Sequence, residues 1–244
     1  MKIYGLIGNP LGHSFSKKFF SEKFIKENLN DCRFELYPLH AITDLPLLLK
    51  KTENLHGLAV TIPYKETIMP FLDEIDGDAK KIGSVNCIKV TANKLTGYNT
   101  DVIGFERSFK PLLKNFHRKA LILGSGGSSK AVQYVLKKLG IDFLVVSRNN
   151  GQQGFINYDT VDEQLINDHP VIINCTPVGM FPNEDEKPML PYQYLNERNL
   201  LFDLVYKPAE TKFLSSGKLQ NAAIKNGYEM LIIQAEENWR IWNG

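Results

Sequence analysis

Three polar segments in the first part of the chain contain side chains that could bind a small molecule and move a proton. They are residues 8–16, residues 60–66, and the combination of 83–86 with 97–101. Each adjoins a short apolar run that predicts a β-strand, and open α/β sheets bind ligands at the carboxyl ends of their strands. Their serine, threonine and asparagine side chains form hydrogen bonds, whereas lysine and aspartate can also carry or transfer a proton. The pattern indicates a polar ligand and acid–base chemistry.

Lys65 and Asp101 are side chains in these segments that can carry or transfer a proton. A lysine ammonium can donate a proton or stabilise a negative charge, and burial or a neighbouring carboxylate can tune its pKa. From the residues alone, an ordinary interpretation stays open: a surface lysine on the first turn of a helix, and an aspartate that caps the helix starting at residue 101.

A glycine-rich turn, Gly124-Ser125-Gly126-Gly127, lies between a strongly apolar strand and a helical pattern. Glycine lets the backbone turn tightly and approach a pyrophosphate, whose charge the helix N-terminus favours. The match to G-x-G-x-x-G is incomplete, because Ser129 occupies the third glycine position. The turn predicts a nucleotide site, with a tight strand-to-helix connection as the alternative.

The end of the following strand indicates which nucleotide would bind. NAD sites place an acidic residue about 20 residues after the glycine turn, where it accepts hydrogen bonds from the ribose. Here the strand Phe143–Val146 continues into Ser147-Arg148-Asn149. A guanidinium binds a 2′-phosphate through charge-assisted hydrogen bonds, whereas an acidic residue would repel it. The sequence therefore favours NADP over NAD, unless Arg148 is only a solvated surface residue.

Short apolar runs alternate with helical patterns along the whole chain, which predicts an α/β fold. The predicted strands are Ile3–Ile7, Arg33–Leu39, Leu58–Ile62, Val85–Val90, Ala120–Leu123, Phe143–Val146, Val171–Asn174 and Leu200–Leu204. The predicted helices are Ser16–Leu29, Thr43–Lys51 with Thr43 as N-cap, Asp101 to about Lys114, Ser128–Leu139 closed by Gly140, and Glu229–Trp242. The continuous apolar strands after residue 101 are typical of a parallel sheet covered by helices.

Composition excludes several classes of protein. The 244 residues include 29 Lys+Arg and 27 Asp+Glu, a net charge of +2, so no strong electrostatic footprint for nucleic acid or an anionic membrane is expected. No apolar run approaches the ~18 residues of a membrane span. The three cysteines are widely spaced and form no CxxC, which predicts neither a disulfide framework nor a zinc site. We expect a cytoplasmic protein that binds no metal.

The sequence resembles the shikimate dehydrogenase family over essentially its whole length. In the first part of the chain, the shared motifs are GNPLGHSFS, VTIPYKE, GSVN and GYNTD. The second part adds GSGGSSKA, SRN, NCTPVGM, DLVYKP with Thr211, residues 230–235 and the terminal Trp242-Asn243-Gly244. The resemblance implies that the protein reduces 3-dehydroshikimate to shikimate with NADPH, in the pathway to chorismate and the aromatic amino acids.

The resemblance also implies roles for individual residues. Lys65 would donate the proton, and Asp101 would orient Lys65 and bind a substrate hydroxyl. The implied substrate-binding residues are Ser14, Ser16, Thr61, Asn86, Tyr206 and Gln234. The implied cofactor-binding residues are Gly124, Ser125, Gly126, Gly127, Ser128, Ser147, Arg148, Asn149, Thr176 and Gly227. Capping of the following helix is the alternative for Ser14 and Ser16, and His13 is interpreted as structural.

The implied architecture has two α/β lobes. Residues 1–100 form a substrate-binding catalytic domain, and residues 101–228 form a Rossmann-type NADP-binding domain. Because Gln234 is a substrate-binding candidate, the C-terminal helix (229–244) should return to the first lobe. The expected partner is the small-molecule substrate, with no nucleic acid or membrane, in a monomer or homodimer.

Two departures from the family pattern keep other functions open. Ala59 stands where the family usually has asparagine, and residues 16–21 read SKKFFS where the family has S-P-x-x-H-N. One alternative is therefore a quinate/shikimate dehydrogenase or a paralogue with a modified substrate. Another is a non-catalytic regulator that binds NADP or shikimate, although a pure binding protein has no need of both Lys65 and Asp101.

Overall fold

The computed structural model describes residues 1–12, 14–92, 94–148 and 153–244, so His13 and Asn149 lie outside the described residues. The chain divides into two compact units, Met1–Thr100 with Ala235–Gly244, and Asp101–Gln234. Each unit is built on its own six-stranded sheet with helices, which confirms the predicted α/β class.

The first unit contains a mixed sheet. Its strands are β1 (Lys2–Gly8), β2 (Cys32–Pro38), β3 (Leu55–Val60), β4 (Glu74–Ile75), β5 (Cys87–Thr91) and β6 (Lys94–Tyr98). They lie in the order β2-β1-β3-β5-β6-β4. Strands β1, β2 and β3 are parallel, β5 is antiparallel to both β3 and β6, and β4 is parallel to β6. Its helices before residue 100 are α1 (Phe15–Lys26), α2 (Leu45–Lys51) and α3 (Gly77–Ile82).

The second unit contains a parallel sheet. Its strands are β7 (Lys119–Leu123), β8 (Asp142–Val146), β9 (Phe155–Ile156), β10 (Val171–Asn174), β11 (Leu200–Asp203) and β12 (Ala223–Lys225). They lie in the order β12-β11-β10-β7-β8-β9. Its helices are α4 (Asp101–Phe109), α5 (Gly127–Lys138), α6 (Glu163–Asp168) and α7 (Lys212–Leu219), followed by α8 (Tyr228–Asn243), which continues into the first unit. In chain order from β7, this is the 3-2-1-4-5-6 arrangement of a dinucleotide-binding sheet.

Several predicted element ends are wrong, for local reasons. Helix α1 ends at Lys26 rather than Leu29, because Asn28 adopts a left-handed conformation that terminates it (φ 55°). Thr43 does not cap α2: it lies in a short 3₁₀ helix, and the side chain of Asp44 accepts the Ala41 N–H (3.2 Å). The helix from Asp101 ends at Phe109 instead of Lys114, since Pro111 cannot donate the next helical hydrogen bond.

Helix α8 is divided between the two compact units, with residues 228–234 in the second and 235–243 in the first. Its first half belongs to the second unit, where Gly104 on α4 approaches it so closely that a Cβ there would lie 2.6 Å from the Met230 carbonyl. Its second half joins the aromatic core of the first unit: Trp242 stacks on Tyr4 (5.2 Å between ring centroids) and donates to the Ile88 carbonyl (3.0 Å). Within the described residues, no helix is long and apolar enough to cross a membrane.

Candidate active site

The polar segments of the first unit converge on one edge of its sheet. Ile7 pairs with Val60 in the parallel β1–β3 ladder, and Cys87 pairs with Ala59 on one side and Tyr98 on the other. The carboxyl ends of β1, β3 and β6 therefore lie at the same edge as the amino end of β5. The predicted strand 85–90 begins only at Cys87, so Asn86 precedes its strand but still reaches this edge.

The segment that carries Lys65 is a series of turns held by the backbone on both sides. The Thr61 N–H donates to the Ile7 carbonyl (2.9 Å), and the Val85 N–H donates to the Lys65 carbonyl (2.8 Å). The buried hydroxyl of Tyr64 donates to the Leu39 carbonyl (2.6 Å). Lys65 itself is half-buried. It lies in a single hydrogen-bonded turn, closed by the Ile68 N–H on the Tyr64 carbonyl (2.9 Å), and this turn does not continue into an α-helix. A fixed backbone with a partly shielded ammonium suits a proton donor.

Ser14 and Ser16 lie at the N-terminal end of α1, and both are half-buried. Ser14 is the N-cap: its hydroxyl oxygen accepts the Lys17 N–H (3.3 Å). Because that hydroxyl is used as an acceptor, its hydrogen can still be donated to a ligand. The first turn of α1 contains no acidic residue, so its positive end favours a carboxylate. Capping and carboxylate binding are therefore compatible at Ser14.

The departure from the family pattern after Ser16 is explained by core packing. Phe20, where the family has histidine, is fully buried; its ring stacks on Phe34 (4.7 Å between centroids) and lies 5.3 Å from Trp242. Lys17, where the family has proline, forms an ion pair with Glu35 (2.8 Å). The aromatic side chain thus completes the core between α1, β2 and the end of α8.

Asn86 is buried, and its amide orientation is set by Thr100. The Thr100 N–H donates to Asn86 Oδ1 (2.7 Å), and the Thr100 hydroxyl lies 3.1 Å from the same oxygen. The oxygen therefore accepts within the protein, so a ligand hydroxyl bound by Asn86 would contact its NH₂ group. Asp101, the next residue after Thr100, is buried and begins α4, where the helix N-terminus favours a carboxylate.

In the second unit, the glycine turn lies where a dinucleotide-binding sheet reverses its strand order. The ends of β7 and β10 are adjacent, since Leu123 pairs with Asn174, and the turn follows β7 directly. Gly124 has a φ of 98°, and a Cβ there would lie 2.8 Å from the Thr176 side chain. Only glycine fits both the conformation and the space. Ligands of open α/β sheets bind at this switch point.

The N-terminus of α5 is suited to an anion. Its N-cap, Gly126, has no side chain to occupy the first N–H groups, and a Cβ there would meet no atom within 4 Å. Among the described residues of its first turn, 127–130, none is acidic. Ser125 lies beside it, with its hydroxyl 3.3 Å from that of Ser147 at the end of β8. These features fit the pyrophosphate of a dinucleotide.

The remaining cofactor candidates differ in what they can contribute. Arg148 is exposed two residues beyond β8, where its guanidinium is accessible to a phosphate. Thr176 is engaged internally, because its N–H and hydroxyl both donate to Asn174 Oδ1 (3.0 and 2.6 Å). Position 227 accepts only glycine, because the Cβ of any other residue would clash with the Leu204 carbonyl. We therefore expect Thr176 and Gly227 to shape the site through their backbones.

A buried polar cluster at the ends of β10 and β11 was missed by the sequence reasoning. Asp203 accepts hydrogen bonds from the Thr211 hydroxyl (2.6 Å), the Asn174 amide (2.9 Å) and the Val205 N–H (3.0 Å). Burial raises the pKa of Asp203 to about 6, although these donors favour the charged form. The signal was present: each of these two apolar strands ends in one polar residue. The cluster holds the loop after each strand.

Asp101, Tyr206 and Gln234, which were predicted to serve the substrate, belong to the second compact unit. Tyr206 is half-buried in the loop after β11, and Gln234 is buried in the middle of α8. The other substrate candidates, Ser14, Ser16, Thr61 and Asn86, share the edge of the first sheet with Lys65. Among the described residues, no group of three or more His, Cys, Asp or Glu could hold a metal ion.

Comparison with known proteins points to one family. A family model described as the shikimate dehydrogenase substrate binding domain matches residues 6–88. The chain is 34% identical to a shikimate dehydrogenase (NADP(+)) from Methanosphaera stadtmanae, covering 99% of this chain and 91% of the relative. Over its full length, it is similar in structure to shikimate dehydrogenase from Aquifex aeolicus (33% identity, TM-score 0.89, 93% of that chain). It is also similar over its full length to shikimate 5-dehydrogenase from Thermus thermophilus, solved with NADP(H) and shikimate (27% identity, TM-score 0.86, 94% of that chain).

Proposed function

The chain belongs to the shikimate dehydrogenase family, and from this premise we propose that it reduces 3-dehydroshikimate to shikimate with NADPH, on the route to chorismate and the aromatic amino acids. The observation that carries the proposal is the sheet edge of the first unit. There, the fixed segment of Lys65 lies with hydroxyl and amide side chains that suit a small polyhydroxy acid. Catalytic roles for Lys65 and Asp101, as distinct from binding, form part of the proposal.

In the proposed mechanism, the substrate carboxylate binds at the N-terminus of α1, where Ser14 and Ser16 donate hydroxyl hydrogens and Thr61 adds a third. The NH₂ group of Asn86 binds a ring hydroxyl, and Tyr206 and Gln234 supply further contacts. Lys65 donates a proton to the ketone oxygen as charge develops there, and Asp101 orients its ammonium and accepts from a substrate hydroxyl. The cofactor, when bound, supplies the hydride.

The cofactor site in this proposal is the switch-point edge of the second unit. The N–H groups around Gly124, Ser125, Gly126, Gly127 and Ser128 bind the pyrophosphate. Arg148 binds the 2′-phosphate, with Ser147 and Asn149 beside it in the sequence. Support for NADP comes from the exposed Arg148 guanidinium after β8, because a guanidinium attracts a phosphate through charge-assisted hydrogen bonds.

The same proposal includes the division into two domains: residues 1–100 with the C-terminal helix (229–244) bind the substrate, and residues 101–228 bind NADP. It also includes a cytoplasmic location and a monomeric or homodimeric state. Support for a reducing compartment is that Cys32, Cys87 and Cys175 are all free thiols. Sedimentation of the purified protein measures the oligomeric state directly.

A second candidate is a quinate/shikimate dehydrogenase or a paralogue with a modified substrate, which Ala59 favours. The test compares kcat/KM for shikimate and for quinate, each with NADP and with NAD. The reaction is monitored through the absorbance of the reduced nicotinamide. Shikimate with NADP should give the highest value. A higher value for quinate would establish the modified substrate instead. Binding of shikimate without any absorbance change at any pH would identify the non-catalytic regulator.

A further inference from the structure

Asn238 is a buried amide to which neither the proposed mechanism nor the sequence motifs give a role. Its side chain is 1% exposed. It lies on a helix face with Ala235 three residues before it and Trp242 four residues after it, both buried in the aromatic core. A polar side chain in such an apolar stripe costs free energy unless it is hydrogen-bonded. A position that breaks the local pattern in this way is a candidate for function.

One hydrogen-bond partner of Asn238 is Thr100, which also contacts the proposed substrate-binding amide of Asn86. The Thr100 hydroxyl lies 2.6 Å from Asn238 Oδ1 and 3.1 Å from Asn86 Oδ1, while the Thr100 N–H donates to that same Asn86 oxygen (2.7 Å). The hydroxyl has one hydrogen for two amide oxygens, and the shorter distance favours donation to Asn238. Asn238 therefore anchors the Thr100 side chain, while the Thr100 N–H holds Asn86. All three residues belong to the first compact unit.

We propose that Asn238 is a positioning residue that acts through Thr100 to fix the substrate-binding amide of Asn86. This inference rests on the proposed function, because it assumes that Asn86 binds a substrate hydroxyl. The adjacent strand gives a reason why the amide stands on α8. Ala59, where the family usually has asparagine, pairs with Cys87 next to Asn86 and belongs to the same buried cluster as Ala235. The amide that β3 lacks is therefore present on the helix packed against it.

The test uses steady-state kinetics of the full chain with shikimate and NADP. Asn238→Ala should raise KM for shikimate about 3- to 10-fold, the effect of one lost hydrogen bond, while kcat and KM for NADP stay within about two-fold. The matched control is Asn243→Ala, on the same helix, whose amide accepts from the Tyr4 hydroxyl (3.0 Å) and donates to the Trp239 carbonyl (2.9 Å). It should leave KM for shikimate unchanged even where it lowers Tm.

Two further variants separate positioning from folding. Thr100→Val removes the hydroxyl but keeps the N–H, and it should reproduce the rise in KM for shikimate. The double variant with Asn238→Ala should show little further rise, because both substitutions break the same Asn238–Thr100 hydrogen bond. Adding Ala59→Asn to Asn238→Ala should restore KM to within about two-fold of the parent. If Asn238→Ala does not fold, the Thr100→Val result alone decides.

The outcomes distinguish this inference from the proposed function. If the parent protein oxidises shikimate but neither Asn238→Ala nor Thr100→Val changes KM for shikimate, the positioning role is overturned and the proposed function stands. An equal rise in Asn243→Ala would also overturn it, because the effect would then be structural. If the parent protein does not oxidise shikimate, the proposed function fails, and this inference fails with it.

Discussion

Lys65 stands on a loop, where its backbone, rather than a helix, determines its position. The carbonyl of Lys65 accepts from Val85, and the chain before it is joined to β1 through Thr61. These bonds connect Lys65 to the same edge that carries Asn86, although 20 residues separate the two in the sequence. A proton donor needs a backbone held in place in this way, because small displacements from the reacting geometry reduce the rate strongly.

Replacing Lys65 separates catalysis from binding. If the ammonium stabilises the developing alkoxide, its contribution lies mainly in the transition state. Lys65→Met, which keeps the length of the side chain, should lower kcat by about 10²- to 10⁴-fold while KM for shikimate changes only a few-fold. Asp101→Asn should affect both kcat and KM. The kinetics are measured in the direction of shikimate oxidation, where the same group takes up the hydroxyl proton, and a near-normal kcat in Lys65→Met would require another group to transfer that proton.

Arg148 is the residue that we propose to determine the choice of nucleotide. Arg148→Gln should raise KM for NADP about 10- to 150-fold through the loss of a charge-assisted phosphate contact worth ~1.5–3 kcal/mol, with little change in KM for NAD. Arg118→Gln is the matched control, since Arg118 precedes β7 and therefore lies at the opposite edge of the sheet. Equal losses with both nucleotides would instead make Arg148 a structural residue.

At the scale of elements, the turn between β7 and α5 combines a conformational requirement with a steric one. Gly124 has a positive φ and lies against Thr176, whereas Gly140, which closes α5, also has a positive φ (68°) but would meet no atom within 4 Å. The two glycines therefore share a backbone conformation that would strain any other residue, and they differ in close contact. This pair allows the two effects to be measured separately.

Gly124→Ala should raise KM for NADP and destabilise the protein by more than the roughly 1 kcal/mol expected for a non-glycine residue at positive φ, because the Thr176 loop must also move. Gly140→Ala should show the strain cost alone and leave KM for NADP unchanged. Urea unfolding and nucleotide titration of both variants provide the measurement. A loss of NADP binding in Gly140→Ala of the same size would show that α5, not the turn, transmits the effect.

At the scale of the whole molecule, long periodic elements were predictable and long-range polar contacts were not. The parallel sheet of the second unit and strand Val171–Asn174 follow from apolar runs. Two-residue strands such as β4 and β9 have no period to detect, and short helices such as α6 offer little more. The Thr100–Asn238 contact joins residues 138 positions apart, which no local pattern records. The site motifs were therefore identifiable, but the residues that support them were not.

The free energy of unfolding of the protein should depend on pH through the titration of Asp203. Its pKa is about 6 in the folded protein against 3.8 for an exposed carboxyl, so between these values the folded state binds the additional proton. Stability from this group is therefore present at low pH and is lost as pH rises through about 6. The loss amounts to roughly 3 kcal/mol, at 1.36 kcal/mol for each pKa unit.

Asp203→Asn is the variant that isolates this effect. The comparison is needed because burial lowers the pKa of His117 and His169, which makes stability rise with pH over part of the same range. The free energy of unfolding in urea, measured from pH 4 to pH 7 for both proteins, gives a difference between parent and variant. As pH rises, the free energy of unfolding of the parent should fall by up to about 3 kcal/mol relative to that of the variant. A difference that stays constant with pH would mean that Asp203 titrates alike in the folded and unfolded chains, and that its three hydrogen bonds fully offset its burial.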